Sequence, residues 1–193
     1  QDLAMRQATS SSQLLADELG VRPEDIDGVF GDTSTVQPGA GAHGSRSARL
    51  GASAGVLGAR AMVERGRALA ADLMEAAVSD IEYARGRFAI AGTDRTATLA
   101  EVNQQAGERL SGDADFETPA EAHSNGCHVC EVTVDPATGQ VRIERYVVVA
   151  DVGRVLNPLI VDGQVHGGAA QGIGQALLER IVYDAESGQT LSG

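Results

Sequence analysis

The chain has no tryptophan, and three tyrosines and three phenylalanines are its only aromatic residues in 193 positions. A core must therefore be filled by valine, leucine, isoleucine and alanine in close packing. Two cysteines are too few for a disulfide framework. Positive charge is also scarce. Fifteen Lys and Arg against 27 Asp and Glu leave a net charge of −12, which argues against nucleic acid or an anionic membrane as partner. No apolar run approaches the roughly 18 residues of a membrane-spanning helix, and the start carries no signal-peptide pattern. Membrane insertion is not expected, and the cytoplasm is the expected compartment. Gln1 is not an initiator methionine, and Thr190-Leu191-Ser192 runs into Gly193 without a closing signal. A piece of a longer polypeptide is expected.

Glycine is abundant, at 24 residues. Five of them fall in Val161 to Leu178, VDGQVHGGAAQGIGQALL, together with Gln164, Gln171 and Gln175. Gly167, Gly168, Ala169 and Ala170 leave little side-chain bulk, so another backbone or a flat ligand can come close. Ala176, Leu177 and Leu178 favour a helix, and the stretch reads as a glycine-rich turn feeding a helix to about Arg180. Each glutamine amide offers a donor and an acceptor suited to the edge of a heterocycle. The alternative is a close-packed buried helix whose glutamines cap backbone groups.

Taken in order, the pattern predicts a helix over 11–19 stopped by Gly20, and a short strand over Ile26 to Phe30. A polar loop over 33–47 precedes a long helix from Gly51 to about Ala77, with a broad apolar stripe. Ile81 to Tyr83 and Arg87 to Ala91 read as a hairpin around Arg85-Gly86. A second amphipathic helix is expected over Thr96 to Leu110, and an extended exposed segment over 111–124. Val129 to Asp135 and Val141 to Val149 form the strongest hairpin, closed by Asp135-Pro136-Ala137-Thr138-Gly139. Asp151 to Pro158 leaves the sheet, and Ile181 to Tyr183 starts one more strand. The order is neither strict strand–helix alternation nor all-strand. It predicts an α+β domain, helices against a mostly antiparallel sheet, as a single lobe over 1–193.

Several motifs carry less than their letters promise. Gly39-Ala40-Gly41-Ala42-His43-Gly44 fits G-x-G-x-x-G, but no hydrophobic strand precedes it, so a dinucleotide fold is not expected. Its backbone N–H groups, with Ser45, Arg46 and Ser47, still suit an anion; a surface loop with a helix cap is the other reading. Cys127-His128-Val129-Cys130 lies on a strand, where residues three apart face opposite sides. No second pair completes a zinc site, and two half-buried thiols are expected. The histidines at 43, 123, 128 and 166 show no metal-ligand spacing, no nucleophile elbow is present, and no residue stands out as a general base.

The ordered series Gly31-Asp32-Thr33, Gly44-Ser45-Arg46-Ser47, Asn125-Gly126-Cys127-His128, Glu131-Val132, Asp135-Pro136-Ala137-Thr138-Gly139, Asn157-Pro158, Gly163 to Gly168 and Gln171 to Leu177 carries a resemblance. It resembles the large, molybdopterin-binding subunit of the molybdenum hydroxylases, the family of xanthine dehydrogenase, aldehyde oxidoreductase and aerobic carbon monoxide dehydrogenase, with the last branch nearer. The resemblance covers about residues 10–193. It implies one α+β lobe of the molybdenum-cofactor-binding domain. It implies a molybdopterin, in bacteria usually the cytosine dinucleotide, and electron transfer to iron–sulfur clusters and FAD on partner subunits or domains. It implies hydroxylation with oxygen from water at a carbon beside a heteroatom or carbonyl, with carbon monoxide oxidation as the variant.

By motif, Gln171 matches the glutamine that hydrogen-bonds the pterin, and Gly44, Ser45, Arg46 and Ser47 match the loop beside pterin and metal. Gln164, Gly172 and Gln175 belong to the same glutamine–glycine motif. Two departures stand out. Where the family has a Gln-Gly-x-Gly-His loop, this chain reads Ala4-Met5-Arg6-Gln7. The family's catalytic glutamate lies in a downstream Gly-Glu motif outside this sequence, so no catalytic residue is assigned. Two functions are therefore expected to compete: part of a molybdenum enzyme, inactive alone, or a cofactor-free structural or interaction module. A lone lobe should expose apolar surface and self-associate through the faces of Gly51–Ala77 or Gly163–Leu178.

Overall fold

A computed structural model of the chain describes residues 7–32, 34, 46–105, 110–118 and 123–192. It divides the chain into two compact units, 1–122 and 123–193. Both combine helices with antiparallel strands, as the α+β reading expects.

The first unit opens with α1, Gln7–Leu19, which starts four residues earlier than its pattern suggests. Gly20, at φ +64°, ends it, and Val21 N–H donates to the Ala16 carbonyl at 3.0 Å, closing the last turn. The expected strand at Ile26 to Phe30 does not form. Gly28 interrupts the run, no neighbouring strand pairs with it, and Val29 and Phe30 stay exposed. Helix α2, Ser47–Met74, is shifted toward the N-terminus relative to expectation. It stops at Glu75, whose φ of 50° is left-handed, and Ala76 N–H returns to the Ala71 carbonyl at 2.9 Å.

Strands β1 (Ile81–Ala84) and β2 (Arg87–Ile90) form the expected hairpin. Arg85 and Gly86 both have positive φ, the two-residue turn that matches strand twist. Gly20 sits against this turn, where an added Cβ would stand 2.4 Å from Arg85 Cα. The Tyr83 hydroxyl donates to the Leu19 carbonyl at 2.7 Å, so the end of α1 is pinned to the hairpin.

Residues 96–98, expected in a helix, instead make β3, Thr96–Thr98, on the open edge of β2. Pairing with β2 buries Ala97 beside Phe88 and outweighs local helix preference. Only Leu99–Gln105 is helical, as α3. It begins with a reciprocal cap: Glu101 N–H donates to Thr98 Oγ1 at 3.1 Å, and Thr98 N–H donates to Glu101 Oε2 at 2.7 Å. The sequence pattern places this start two residues upstream of the Thr98 cap, at Thr96.

These bonds, the backbone N–H first, hold the Glu101 carboxyl below its ordinary pKa. A depressed carboxylate pKa gives stability that is complete above the unfolded value and is lost as pH falls through the folded one. We expect α3 to fray in acid, with the Thr98 amide resonance titrating along with Glu101. An unchanged Thr98 amide through that transition would refute this.

The core of the first unit joins Leu19, Ala59, Val63, Ala70, Ala71, Met74, Ile81, Phe88, Ala97 and Val102. Alanines on α2 let the sheet come close, and Gly66 does so most: an added Cβ would stand 2.4 Å from Phe88 Cζ. Phe88 is 0 % exposed and has no room to yield. Gly66→Ala should therefore destabilise the chain by about 1–3 kcal/mol, despite Ala's better helix propensity. Urea unfolding checks it, and a more stable variant would contradict the packing. Gly112 similarly brings the 110–118 segment onto α2, where its Cβ would meet the Gly58 carbonyl at 2.1 Å. Arg65 fixes that segment by donating to the Ser111 carbonyl at 3.0 Å.

The second unit is built on β4, Asn125–Val134, and β5, Val141–Asp151, longer than expected at the open end. The register slips between Glu131 and Val132, where Glu144 on β5 is left over as a bulge. Glu144 Oε1 accepts from Thr133 Oγ1 and Arg142 Nε, each at 2.8 Å. The closing turn is held by Asp135: Oδ1 accepts from Ala137 N–H at 2.8 Å and Oδ2 from Thr138 Oγ1 at 2.9 Å, with Gly139 at φ +74°.

The same device recurs at Asp184 to Gln189. Asp184 Oδ1 accepts from Ser187 N–H at 2.8 Å, and Gly188 has φ +71°. DPATGQ and DAESGQ are thus two copies of one turn. Around the second copy, however, the expected strand at Ile181 to Tyr183 amounts to a single bridge, Tyr183 to Thr190. Ile181 and Tyr183 remain exposed, and no third strand among the described residues extends the pairing.

Candidate functional site

The glycine–glutamine stretch is helical from Val161 to Leu177. Helix α4 runs Pro158–Leu177, so Gly163, Gly167 and Gly168 lie inside it rather than in a preceding turn. The start is set upstream of the glycines. Asn157 is the N-cap, its side chain accepts from Ile160 N–H at 3.2 Å, and Pro158 takes the first helical position.

Helical periodicity sorts the side chains. Val161, Val165, Ala169 and Ile173, each four apart, are half-buried. Gln164, Gln171 and Gln175 fall within about 40° of one another around the axis and span about 16 Å along it. All three are exposed, and their amides make no hydrogen bond among the described residues. Gly168 lies in the same stripe and Gly172 beside it.

Four glycines of α4 differ in kind from Gly66 of α2. At Gly163, Gly167, Gly168 and Gly172 an added Cβ would meet nothing within 4 Å, whereas at Gly66 it would strike Phe88. Each costs about 1 kcal/mol of helix stability relative to alanine, and no packing among the described residues explains it. The sequence alone does not separate the two kinds.

The other expected site residues lie in the first unit. Arg46 takes the N-cap position of α2 with helical φ −98° and ψ −19°, and it makes no side-chain cap. Its carbonyl accepts from Leu50 N–H at 2.8 Å. Ser47 is the first helical residue, and both are half-buried. Gly44 and Ser45 lie outside the described residues, as do Ala4, Met5 and Arg6 of the altered loop. Gln7, the last of that loop, is the first residue of α1.

Cys127 and Cys130 are free and exposed, not half-buried. They stand on opposite faces of β4. His128, which the sequence left without a role, pairs across the hairpin: its Nδ1 is 3.1 Å from the Tyr146 hydroxyl, and the rings meet edge-on at 5.8 Å. No helix among the described residues is long and apolar enough to cross a membrane.

The arrangement defines an α+β chain presenting an unpartnered amide stripe on a glycine-rich helix. A family model described as molybdopterin cofactor-binding domain matches residues 7–193. The chain belongs to that family. It is 37% identical over 196 residues to the 6-hydroxypseudooxynicotine dehydrogenase complex subunit gamma of Paenarthrobacter nicotinovorans, covering 95% of this chain and 24% of the relative. It is 32% identical to the carbon monoxide dehydrogenase large chain of Hydrogenophaga pseudoflava, covering 92% of this chain and 23% of the relative. Among solved structures it matches the Cu,Mo-CO dehydrogenase with a TM-score of 0.84 at 28% identity, covering 99% of this chain and 25% of the other. It matches quinoline 2-oxidoreductase from Pseudomonas putida 86 with a TM-score of 0.76 at 34% identity, covering 95% of this chain and 25% of the other. The chain thus spans about a quarter of the length of the proteins it matches.

Proposed function

We propose that the whole chain, both units, is part of the molybdopterin-binding large subunit of a molybdenum-dependent hydroxylase or dehydrogenase. The observation that carries this is the exposed stripe of Gln164, Gln171 and Gln175 with free amides and glycines beside it. A pterin ring edge alternates donors and acceptors, and a carboxamide can match either. Gln171 hydrogen-bonds the ring edge, and Gln164 and Gln175 extend the contact on either side. Gly172 gives the ligand access to the helix backbone. Gly44, Ser45, Arg46 and Ser47 match by motif the loop beside pterin and metal, and the hydroxyls and one cation among them suit an anionic portion of such a cofactor. That cofactor is a molybdopterin, in its cytosine dinucleotide form.

The bound group supplies the two-electron oxidation of an aldehyde, a purine-like heterocycle or carbon monoxide, with water as the oxygen source. The residues here bind and orient it. They include no catalytic side chain, and the isolated 193-residue chain is inactive. Partners are the rest of the large subunit and subunits or domains carrying iron–sulfur clusters and FAD, in the cytoplasm. The relatives' names include nicotine 6-hydroxylase and a putative xanthine dehydrogenase molybdenum-binding subunit, and nitrogen heterocycles head the list of substrates to test.

A second reading, a cofactor-free module that keeps the fold, is favoured only by Ala4-Met5-Arg6-Gln7 in place of a glycine-rich loop. The deciding experiment is metal and pterin analysis of the full-length protein coexpressed with its maturation partners. Stoichiometric molybdenum supports the enzyme reading, and its absence supports the module.

A further inference from the structure

A bulge decides which side chains of a strand share a face. Ile143 and Tyr146 are three apart and would point to opposite sides of a regular strand. With Glu144 left over, the register instead pairs Ile143 with Val132, Tyr146 with Cys130 and Val148 with His128, so these pairs lie on one face. On that face Ile143, Tyr146 and Val148 are half-buried, while the residues flanking them on β5 are exposed. Helix α4 packs on β5, and Val161, Val165, Ala169 and Ile173 form its half-buried stripe. Together these side chains form the seat of α4. Among them Tyr146 alone carries a polar side-chain atom, and a phenol that is partly covered needs a partner for its hydroxyl. His128 supplies one from the neighbouring strand: its Nδ1 stands 3.1 Å from the hydroxyl, and the two rings meet edge-on. In the tautomer with its proton on Nε2, Nδ1 accepts from that hydroxyl. His128 itself is exposed, so its part is this contact rather than the filling of a core.

We propose that His128 is a positioning residue: through the Tyr146 hydroxyl it fixes the seat of α4, and with it the direction in which Gln164, Gln171 and Gln175 point. The amide stripe lies about a third of a turn round the helix axis from the half-buried stripe. Any loosening or rotation of α4 on its seat therefore swings the amides away from a ligand. The consequence for cofactor rests on the reading of α4 as a cofactor-binding helix; the hold of His128 on α4 does not.

The test compares the full-length protein, coexpressed with its maturation partners, with His128→Leu, Tyr146→Phe, the double variant and His128→Asn. Amide hydrogen exchange over Pro158–Leu177 is measured on cofactor-free protein, and pterin content on protein made at limiting cofactor. Each of the first two variants should speed exchange in α4 by roughly 3- to 10-fold, as expected for one lost hydrogen bond, and leave exchange in β1 and β2 unchanged. The double variant should add nothing to the larger single effect, because both changes remove the same bond. Asparagine carries its carboxamide oxygen as many bonds from Cβ as the Nδ1 of histidine, and should restore the native rate. Unchanged exchange in α4, additive effects in the double variant, or leucine and asparagine behaving alike overturns the proposal. Pterin content should fall in step with the faster exchange. Faster exchange with native pterin content leaves the hold of His128 on α4 standing and overturns instead the assignment of cofactor to that helix.

Discussion

Replacing Phe88 with alanine should cost the 193-residue chain about 3–5 kcal/mol, a large part of the stability of a domain this size. Phe88 is fully buried on β2, the middle strand of the three-stranded sheet. It stands 4.7 Å from the Tyr83 ring, centroid to centroid, and lies under Gly66 of α2. Ala97 pairs with it on β3. Gly66 and Ala97, which stand against it, are too small to fill the space it would leave, so a cavity term adds to the lost burial. With only three phenylalanines and no tryptophan, the chain has few such anchors. Urea unfolding of Phe88→Ala and Phe88→Leu gives the measurement. Alanine should lose several kcal/mol and leucine markedly less. Equal losses would show that ring contacts with Tyr83, rather than buried volume, hold the unit together.

What the sequence made legible follows from where the local signal agrees with the tertiary one. The hairpins at 81–90 and 125–151 have strong turns, Arg85-Gly86 and Asp135 to Gly139, flanked by apolar strands. Pattern and pairing point the same way there. The stop at Gly20 is equally local. Misreadings arise where a distant partner decides. Thr96 to Thr98 reads as a helix start and becomes a strand because β2 offers an open edge. Ile26 to Phe30 reads as a strand and finds no partner. Of the site, the glutamines were visible as residue types. Their common exposed face depends on α4 starting at Asn157-Pro158, several residues before the glycines that seemed to mark a turn. The function of the open glycines was hidden for another reason: a glycine demanded by packing and one facing open space are the same letter.

Gln171→Ala should reduce molybdenum and pterin content of the full-length protein by roughly 5- to 100-fold at limiting cofactor, the equivalent of about 1–3 kcal/mol for a lost buried hydrogen-bonding group. Stability of the protein without cofactor should change little, because the Gln171 amide is exposed and bonds to no described residue. That split separates binding from folding. Gly168→Ala sharpens it. An added Cβ at Gly168 meets nothing within 4 Å of the chain, so alanine should raise the stability of α4 by about 1 kcal/mol through helix propensity. If a ligand lies against the glycine–glutamine stripe, the same methyl group should lower cofactor content. Greater stability with poorer loading is the expected pair of results, a cost of function written into the helix. Unchanged molybdenum in both variants would remove α4 from the cofactor site and leave its glycines to be explained by another backbone packed against them.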